Sequence, residues 1–182
     1  HAGMAHRVTV NQKWIDAKGF EKKDIEKILG GMDAILVPGG FGDRGIAGKL
    51  AAIRYARENN IPYFGICLGM QLAIIEMARN LAGLAKAYST EFSDYEDTDE
   101  RGPLVGLMTE WSRGTVLERR NKESDMGGTM RLGAYECVLQ KGSKAAKIYN
   151  ADMIHERHRH RYEVNTAYKE SLEATGAVFS GM

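Results

Sequence analysis

The chain has 182 residues, enough for one α/β domain with a hydrophobic core, and its net charge is +1. This balance gives no bulk field that would favour nucleic acid or an anionic membrane. No apolar run approaches the roughly 18 residues that span a bilayer, and no charged-then-apolar leader opens the sequence. The two cysteines, Cys67 and Cys137, are far apart and lack metal-ligand spacing, so we expect a cytoplasmic, reducing location and no disulfide framework.

The first half of the chain predicts strands and helices in alternation. The apolar run 34–37 ends at Pro38 and suits a buried parallel strand. The last helix of this half is apolar nearly all round and should therefore be buried. Alternation of this kind indicates a parallel sheet with helices on both faces. The predicted elements are strands at 7–10, 34–37 and 63–66 and helices at 24–29, 46–58 and 70–80.

The second half predicts strands with only short helices between them, which favours an antiparallel extension of the sheet. We expect a further strand to begin at 177–182, and no strand precedes the first predicted helix end. We therefore expect the chain to be part of a longer polypeptide. The acidic stretch 94–100 is typical of a solvated loop. The predicted strands lie at 104–109, 115–118, 132–139 and 154–164.

The sharpest local signal is the sequence Gly65-Ile66-Cys67-Leu68-Gly69 between a predicted strand and a predicted helix. A nucleophile at such a turn is exposed and strained, and it needs small neighbours. The helix N-terminus stabilises a thiolate, and the N–H of Leu68 is placed to stabilise a tetrahedral oxyanion. A lone cysteine is by default a buried core residue. The flanking glycines favour a catalytic role for Cys67, whereas Cys137, in an apolar strand, is expected to be buried.

A second signal is the sequence PGGFG at 38–42, which follows the preceding strand. The carboxyl ends of strands line the ligand crevice in open α/β sheets, and glycines there free backbone N–H groups to face an anion. A phosphate-binding loop is a possible alternative, but the P-loop pattern is missing. Together with the Cys67 turn, the loop is better interpreted as the source of the second oxyanion donor.

The motifs PGGFG at 38–42 and GICLGMQ at 65–71 resemble those of class I glutamine amidotransferases. Three further segments resemble the CTP synthase family within that group: STEF at 89–92, SDMGGTMRLG at 124–133 and ERHRHRYEVN at 156–165. The resemblance covers the whole chain, so residues 1–182 are expected to form one partial glutaminase domain. It implies a flavodoxin-like α/β fold with a mostly parallel central sheet, helices on both faces and an antiparallel extension.

The resemblance also implies an activity and its residues. Glutamine is hydrolysed through a thioester on Cys67, and the ammonia passes to a separate amidoligase (synthase) domain that uses ATP and Mg to aminate UTP to CTP. No cofactor or metal is expected in the glutaminase domain itself. GTP is implied as an allosteric activator at the domain interface, and a homotetramer as the assembly. Positions matching the oxyanion hole are Gly40 and Leu68; those matching the glutamine site are Gly40, Leu68, Gly69, Met70, Gln71, Glu91 and Arg159.

The sequence departs from the family pattern at one point. The family's catalytic His and Glu lie in a His-Pro-Glu segment that is absent from these 182 residues, so we expect this chain alone to be inactive or weak. Two alternatives stay open: another class I amidotransferase or cysteine-elbow hydrolase, and a catalytically silent binding or regulatory module. The stretch 157–161 (RHRHR) could also be interpreted as a nucleic-acid or a zinc site. The near-neutral net charge disfavours nucleic acid. The lack of further ligands with suitable spacing disfavours zinc.

Overall fold

A computed structural model describes residues 1–92, 102–107, 110–113, 116–119 and 130–182, with backbone alone for Lys22, 110–113 and 116–119. Our expectations for the acidic stretch 94–100 and for most of the segment 124–133 fall outside these residues. The helices are α1 (Ala2–His6), α2 (Ile25–Leu29), α3 (Ile46–Glu58), α4 (Leu68–Asn80), α5 (Lys144–Tyr149) and α6 (Lys169–Glu173), with 3₁₀ turns at Phe20–Lys22 and Thr166–Tyr168. The strands are β1 (Ile35–Val37), β2 (Tyr63–Gly65), β3 (Val105–Leu107), β4 (Glu110–Arg113), β5 (Val116–Arg119), β6 (Arg131–Val138), β7 (Met153–His160) and β8 (Tyr162–Val164).

Within the described ranges, no helix combines the length and the apolar character needed to cross a membrane.

The core forms around a parallel pair of strands. β1 and β2 pair with Leu36 opposite Phe64. Ile35 and Val37 point to the other face, where they are buried in one cluster with α3 and α4. On their own face Leu36 and Phe64 are exposed by 57% and 63%. The α/β class predicted from alternation is therefore confirmed. Helices were expected on both faces of the sheet, but both long helices pack on the Ile35–Val37 face, and the face of Leu36 and Phe64 is exposed within the described residues.

Helix α4 is the most deeply buried element of the described chain. Leu68, Leu72, Ile75 and Ala78 are each 0% exposed, and together they form a stripe at helical spacing. The burial predicted from its nearly uniform apolar composition is confirmed. Because α4 begins directly after Cys67, this packing fixes the turn that carries the nucleophile.

One charge is buried inside this packing. Glu76 of α4 is only 2% exposed, and its carboxylate accepts hydrogen bonds from Arg57 of α3 at 2.8–3.1 Å. Asn80 adds a donor to the same carboxylate at 2.9 Å. The hydrogen bonding of the Arg57 guanidinium to the Glu76 carboxylate is the main cause that raises the pKa of Arg57. A buried charge needs such partners, so this network ties α3 to α4.

We expect Arg57→Met to lower the free energy of unfolding by about 3 kcal/mol, because it leaves the Glu76 carboxylate buried without its guanidinium partner. Arg54→Met is the matched control on the same helix. Arg54 pairs with Glu58 at 2.7 Å, but both side chains are largely exposed, so its loss should cost about 0.5 kcal/mol or less. Urea unfolding of both variants measures the difference, and equal costs would contradict the assigned role of the buried pair.

The strand pairs of the later half are antiparallel, as predicted, but within the described residues they are separate two-stranded sheets and do not extend the β1–β2 sheet. β6 pairs with β7 over their full lengths, β3 pairs with β8, and β4 pairs with β5. A parallel bridge joins Ser89 to Val105 of β3. At 177–182, where a strand was expected, the structure has only an isolated antiparallel bridge between Gly181 and Leu139, beside which Val138 and Met182 exchange backbone hydrogen bonds.

Two local expectations are wrong. Residues 7–10 form no strand; the N–H of Val8 donates to the carbonyl of Gly3, so this segment folds back on α1 instead of joining a sheet. Cys137 is half-buried, not buried. It lies on β6, whose side chains alternate between half-buried and exposed, so neither face of that strand is fully covered.

Candidate active site

Cys67 has a backbone conformation that L-residues rarely adopt. Its φ is 54° and its ψ is −111°, and it is the N-cap residue of α4. The turn is held on both sides: Ile66 N–H donates to the Val37 carbonyl, and Gly69 N–H donates to the Ile66 carbonyl, each at 3.0 Å. Such strain persists only where the surroundings impose it, and it is typical of a nucleophile elbow.

The two glycines that flank Cys67 are required by close backbone contacts. A Cβ on Gly69 would lie 2.1 Å from the carbonyl oxygen of Val37, and a Cβ on Gly65 would lie 2.6 Å from the backbone nitrogen of Met70. Both distances are far below van der Waals contact. The G-x-C-x-G spacing therefore follows from the close approach of the first turn of α4 to β1 and β2.

The glycine loop after β1 touches the nucleophile turn. A Cβ on Gly39 would lie 3.3 Å from Cβ of Cys67 and 3.9 Å from its Sγ, and one on Gly40 would lie 3.4 Å from Cδ2 of Leu68. Leu68 is the first residue of α4, where a backbone N–H has no intrahelical acceptor. The predicted oxyanion positions, Gly40 and Leu68, are thus brought together beside the cysteine.

Glu91 reaches the same loop from a distant part of the chain. Its Oε1 accepts a hydrogen bond from the N–H of Gly42 at 2.9 Å, across 49 residues of sequence. Its backbone follows Ser89, which is fully buried and bridged to β3. The structure therefore places this carboxylate next to the Gly39–Gly42 loop, close to where the sequence predicts the substrate.

Gln71, which the resemblance assigns to the glutamine site, has a buried side chain. It is 4% exposed, and its Nε2 donates to the carbonyl of Tyr162 at 2.9 Å. Burial raises the pKa of Tyr162, with a further contribution from the carboxylate of Glu91. Gln71 thus joins α4 to β8 beside Glu91. Of the other predicted substrate contacts on α4, Gly69 is buried and Met70 is 43% exposed.

Arg159 lies on an exposed face of β7. It pairs in register with Leu132, on the face opposite His158 and His160. Sequence reasoning missed Arg161, which lies in the break between β7 and β8. Within the described residues its Nε is buried without a hydrogen-bond partner, and its charge acts on Tyr162 against that of Glu91. The alternation of side chains along a single strand could not predict the burial of Arg161, because β7 ends at His160 and β8 begins at Tyr162.

His158 and His160 belong to a half-buried cluster on the inner face of β6 and β7. Their Nδ1 atoms lie 3.4 Å apart, and Tyr135 packs edge-on against His158. Burial of the rings is the main cause that lowers the pKa of both histidines. The described side chains include no group of three or more His, Cys, Asp or Glu that could hold a metal ion. These contacts give the two histidines a packing role.

Curated relatives and a solved structure resemble the chain closely. The CTP synthase of Methylorubrum populi is 60% identical over 181 residues, covering 100% of this chain and 32% of that protein. The CTP synthase of Paramagnetospirillum magneticum is 56% identical over 182 residues, covering 100% of this chain and 33% of that protein. The chain thus spans about a third of the length of these relatives. The structure of the Trypanosoma brucei CTPS glutaminase domain with bound acivicin matches with a TM-score of 0.80 and 40% identity, over 98% of this chain and 64% of that one.

The family model for glutamine amidotransferase class-I matches residues 1–181. This match covers the Cys67 turn, the glycine loop and Glu91, which the fold brings together. It also agrees with the flavodoxin-like α/β fold expected from the sequence. The chain belongs to the class I glutamine amidotransferase family.

Proposed function

We propose that this chain is the glutaminase part of a CTP synthase, which hydrolyses L-glutamine and supplies ammonia for CTP formation. The observation that carries the proposal is the strained Cys67 at the start of α4, in contact with the Gly39–Gly40 loop. The identity to CTP synthases, 60% in one case, supports this choice over other class I amidotransferases. No contact in the described residues favours a silent binding module.

The proposed chemistry is covalent. The Cys67 thiolate attacks the amide carbon, the oxyanion is stabilised by the N–H groups of Leu68 and Gly40, ammonia leaves, and water hydrolyses the thioester. The 182 residues contain no His-Pro-Glu sequence. We therefore propose that this chain by itself turns over slowly, since loss of general acid–base help costs about 10²–10⁴-fold in rate.

The substrate amino acid carries an ammonium group and a carboxylate. Glu91 is proposed to hold the ammonium, because it is the carboxylate that the fold brings to the glycine loop. Arg159 was the first candidate for the substrate carboxylate. Arg161 is the better candidate, since it is half-buried and its charge acts on Tyr162, as does the charge of Glu91. The backbone of Leu68, Gly69, Met70 and Gln71 would line the rest of the site.

The remaining parts of the proposal concern the whole enzyme. An amidoligase domain outside these residues would bind ATP and Mg and aminate UTP to CTP. GTP would activate the glutaminase at the interface between the two domains, and the enzyme would act as a homotetramer in the cytoplasm.

The test uses the polypeptide at the full length of its relatives. Cys67→Ala should abolish CTP formation from glutamine, by about 10³-fold or more, because no thioester can form. The same variant should keep CTP formation from free ammonia, and Cys137→Ala should keep both activities. Equal loss of both activities in Cys67→Ala would contradict a role confined to glutamine hydrolysis. An enzyme that releases ammonia from glutamine but never forms CTP would instead be another class I amidotransferase.

A further inference from the structure

We propose that Glu91 has a second role as a positioning residue: its carboxylate holds the oxyanion loop in place through the N–H of Gly42. The inference rests on the proposed glutaminase function, within which Glu91 was so far assigned only to the substrate ammonium. One carboxylate would then serve both substrate recognition and the placement of the oxyanion donors.

The loop needs a contact of this kind because only one end of it is anchored in the sheet. It leaves β1 after Val37 and reaches Gly42, where φ is +70°, a conformation suited to glycine. The bond from Gly42 N–H to Glu91 Oε1, at 2.9 Å, holds the far end. Gly40, the proposed oxyanion donor, lies between the two anchored ends. Its placement against Leu68 therefore depends on this hydrogen bond.

The backbone that carries the Glu91 carboxylate is held by hydrogen bonds. Glu91 N–H donates to Oγ of Ser89 at 3.3 Å, and Ser89 is fully buried. The adjacent Thr90 N–H donates to the carbonyl of Val105 at 3.1 Å, and Val105 N–H donates to the carbonyl of Tyr88 at 3.2 Å. The segment is thus bonded to β3, and an acceptor placed on it can hold the loop.

A second set of close approaches joins the loop to the nucleophile helix. A Cβ on Gly40 would lie 3.4 Å from Cδ2 of Leu68, and one on Gly39 would lie 3.3 Å from Cβ of Cys67. The loop therefore lies between the carboxylate of Glu91 and the start of α4. Displacing the loop would move Gly40 away from the position that the oxyanion of a Cys67 adduct occupies.

The two proposed roles of Glu91 differ in what they require. Binding an ammonium needs negative charge, whereas holding the Gly42 N–H needs only an acceptor oxygen. A carboxylate has about four acceptor sites and can do both at once. Glu91→Gln keeps an acceptor and removes the charge, while Glu91→Ala removes both. Glu91→Met keeps the approximate volume and removes the acceptor, so it replaces Glu91→Ala should that variant fail to fold.

The experiment measures alkylation of this chain by two chloromethyl ketones. One is the glutamine analogue, and the other is the same molecule without its amino group. In each case a bond forms between Sγ of Cys67 and the methylene carbon as chloride leaves, and the ketone oxygen takes the place of the amide oxygen. Intact-protein mass spectrometry gives the maximal rate and the half-saturating concentration, and peptide mapping gives the site.

With the amino probe, Glu91→Gln should raise the half-saturating concentration about 10- to 100-fold, the size of one charge-assisted hydrogen bond, with little change in maximal rate. Glu91→Ala and Glu91→Met should also lower the maximal rate about tenfold or more, as a displaced oxyanion donor would. With the probe that lacks the amino group, Glu91→Gln should match the wild type while the other two stay slow. Glu173→Ala removes an exposed carboxylate on α6 and should change nothing.

Amide hydrogen exchange at Gly42 gives a direct measure of the hydrogen bond. Its protection should survive in Glu91→Gln and fall in Glu91→Met. The positioning role is overturned if Glu91→Ala and Glu91→Met alkylate as fast as Glu91→Gln with the probe that lacks the amino group. It is also overturned if Gly42 exchange is unchanged in Glu91→Met. Wild-type alkylation at a residue other than Cys67 would overturn the proposed function and this inference with it.

Discussion

Cys67→Ala is expected to abolish alkylation of the chain by a glutamine-analogue electrophile, whereas Cys137→Ala is expected to leave it unchanged. Exposure does not separate the two thiols, since both are half-buried. The backbone separates them: Cys67 has the strained elbow conformation at the start of α4, and it lies beside Gly40 and Leu68, the proposed donors for the oxyanion. Cys137 lies within β6 opposite Ile154 and has neither feature. We expect modification of Cys67 to be at least about 100-fold faster.

Iodoacetamide serves as the reference reagent, because it carries none of the substrate's recognition groups. The preference for Cys67 should be smaller with iodoacetamide than with the glutamine analogue, and free glutamine should slow only the latter. Peptide mapping after partial reaction gives the ratio at the two positions. An adduct found chiefly on Cys137 would show that the elbow geometry does not create the reactive site.

The parts of the site that sequence could predict are those encoded within a few residues. Gly69 is required by its close contact with β1 and Gly65 by its close contact with the first turn of α4, so the motif has a physical reason of its own. The helix at 46–58 follows from apolar spacing, and the burial of α4 follows from its nearly uniform apolar composition. Local patterns of this kind survive in any tertiary context that lets the strand and the helix pack.

The parts that sequence could not predict depend on contacts between distant segments. Nothing near Glu91 indicates that its partner is the N–H of Gly42, and nothing near Gln71 indicates the carbonyl of Tyr162, 91 residues away. The choice between Arg159 and Arg161 likewise depends on where β7 ends. The strand expected at 7–10 failed for the same reason, because β-branched residues form a strand only where a partner edge is available.

Gly69→Ala is expected to lower the free energy of unfolding by at least about 3 kcal/mol, through a backbone clash that overpacks the contact between α4 and β1. Helix propensity acts in the opposite direction: Ala in place of Gly within a helix stabilises by about 1 kcal/mol. The geometry decides between the two effects. The new Cβ would lie 2.1 Å from the carbonyl oxygen of Val37 and 2.9 Å from its carbonyl carbon. Neither atom can rotate away, because both belong to the backbone of β1.

Met70→Ala is the control for this substitution, since it changes the adjacent residue of the same helical turn, where the side chain is 43% exposed. Its cost should be about 1 kcal/mol or less, as for a partly exposed position. Urea unfolding compares the two variants, and Cys67 alkylation of the folded fraction reports on the turn itself. A Gly69→Ala chain as stable as the wild type would contradict the close packing of α4 on β1, in which a Cβ on residue 69 lies 2.1 Å from the carbonyl oxygen of Val37. A destabilised chain with normal Cys67 reactivity would mean that the close approach supports the fold and not the nucleophile.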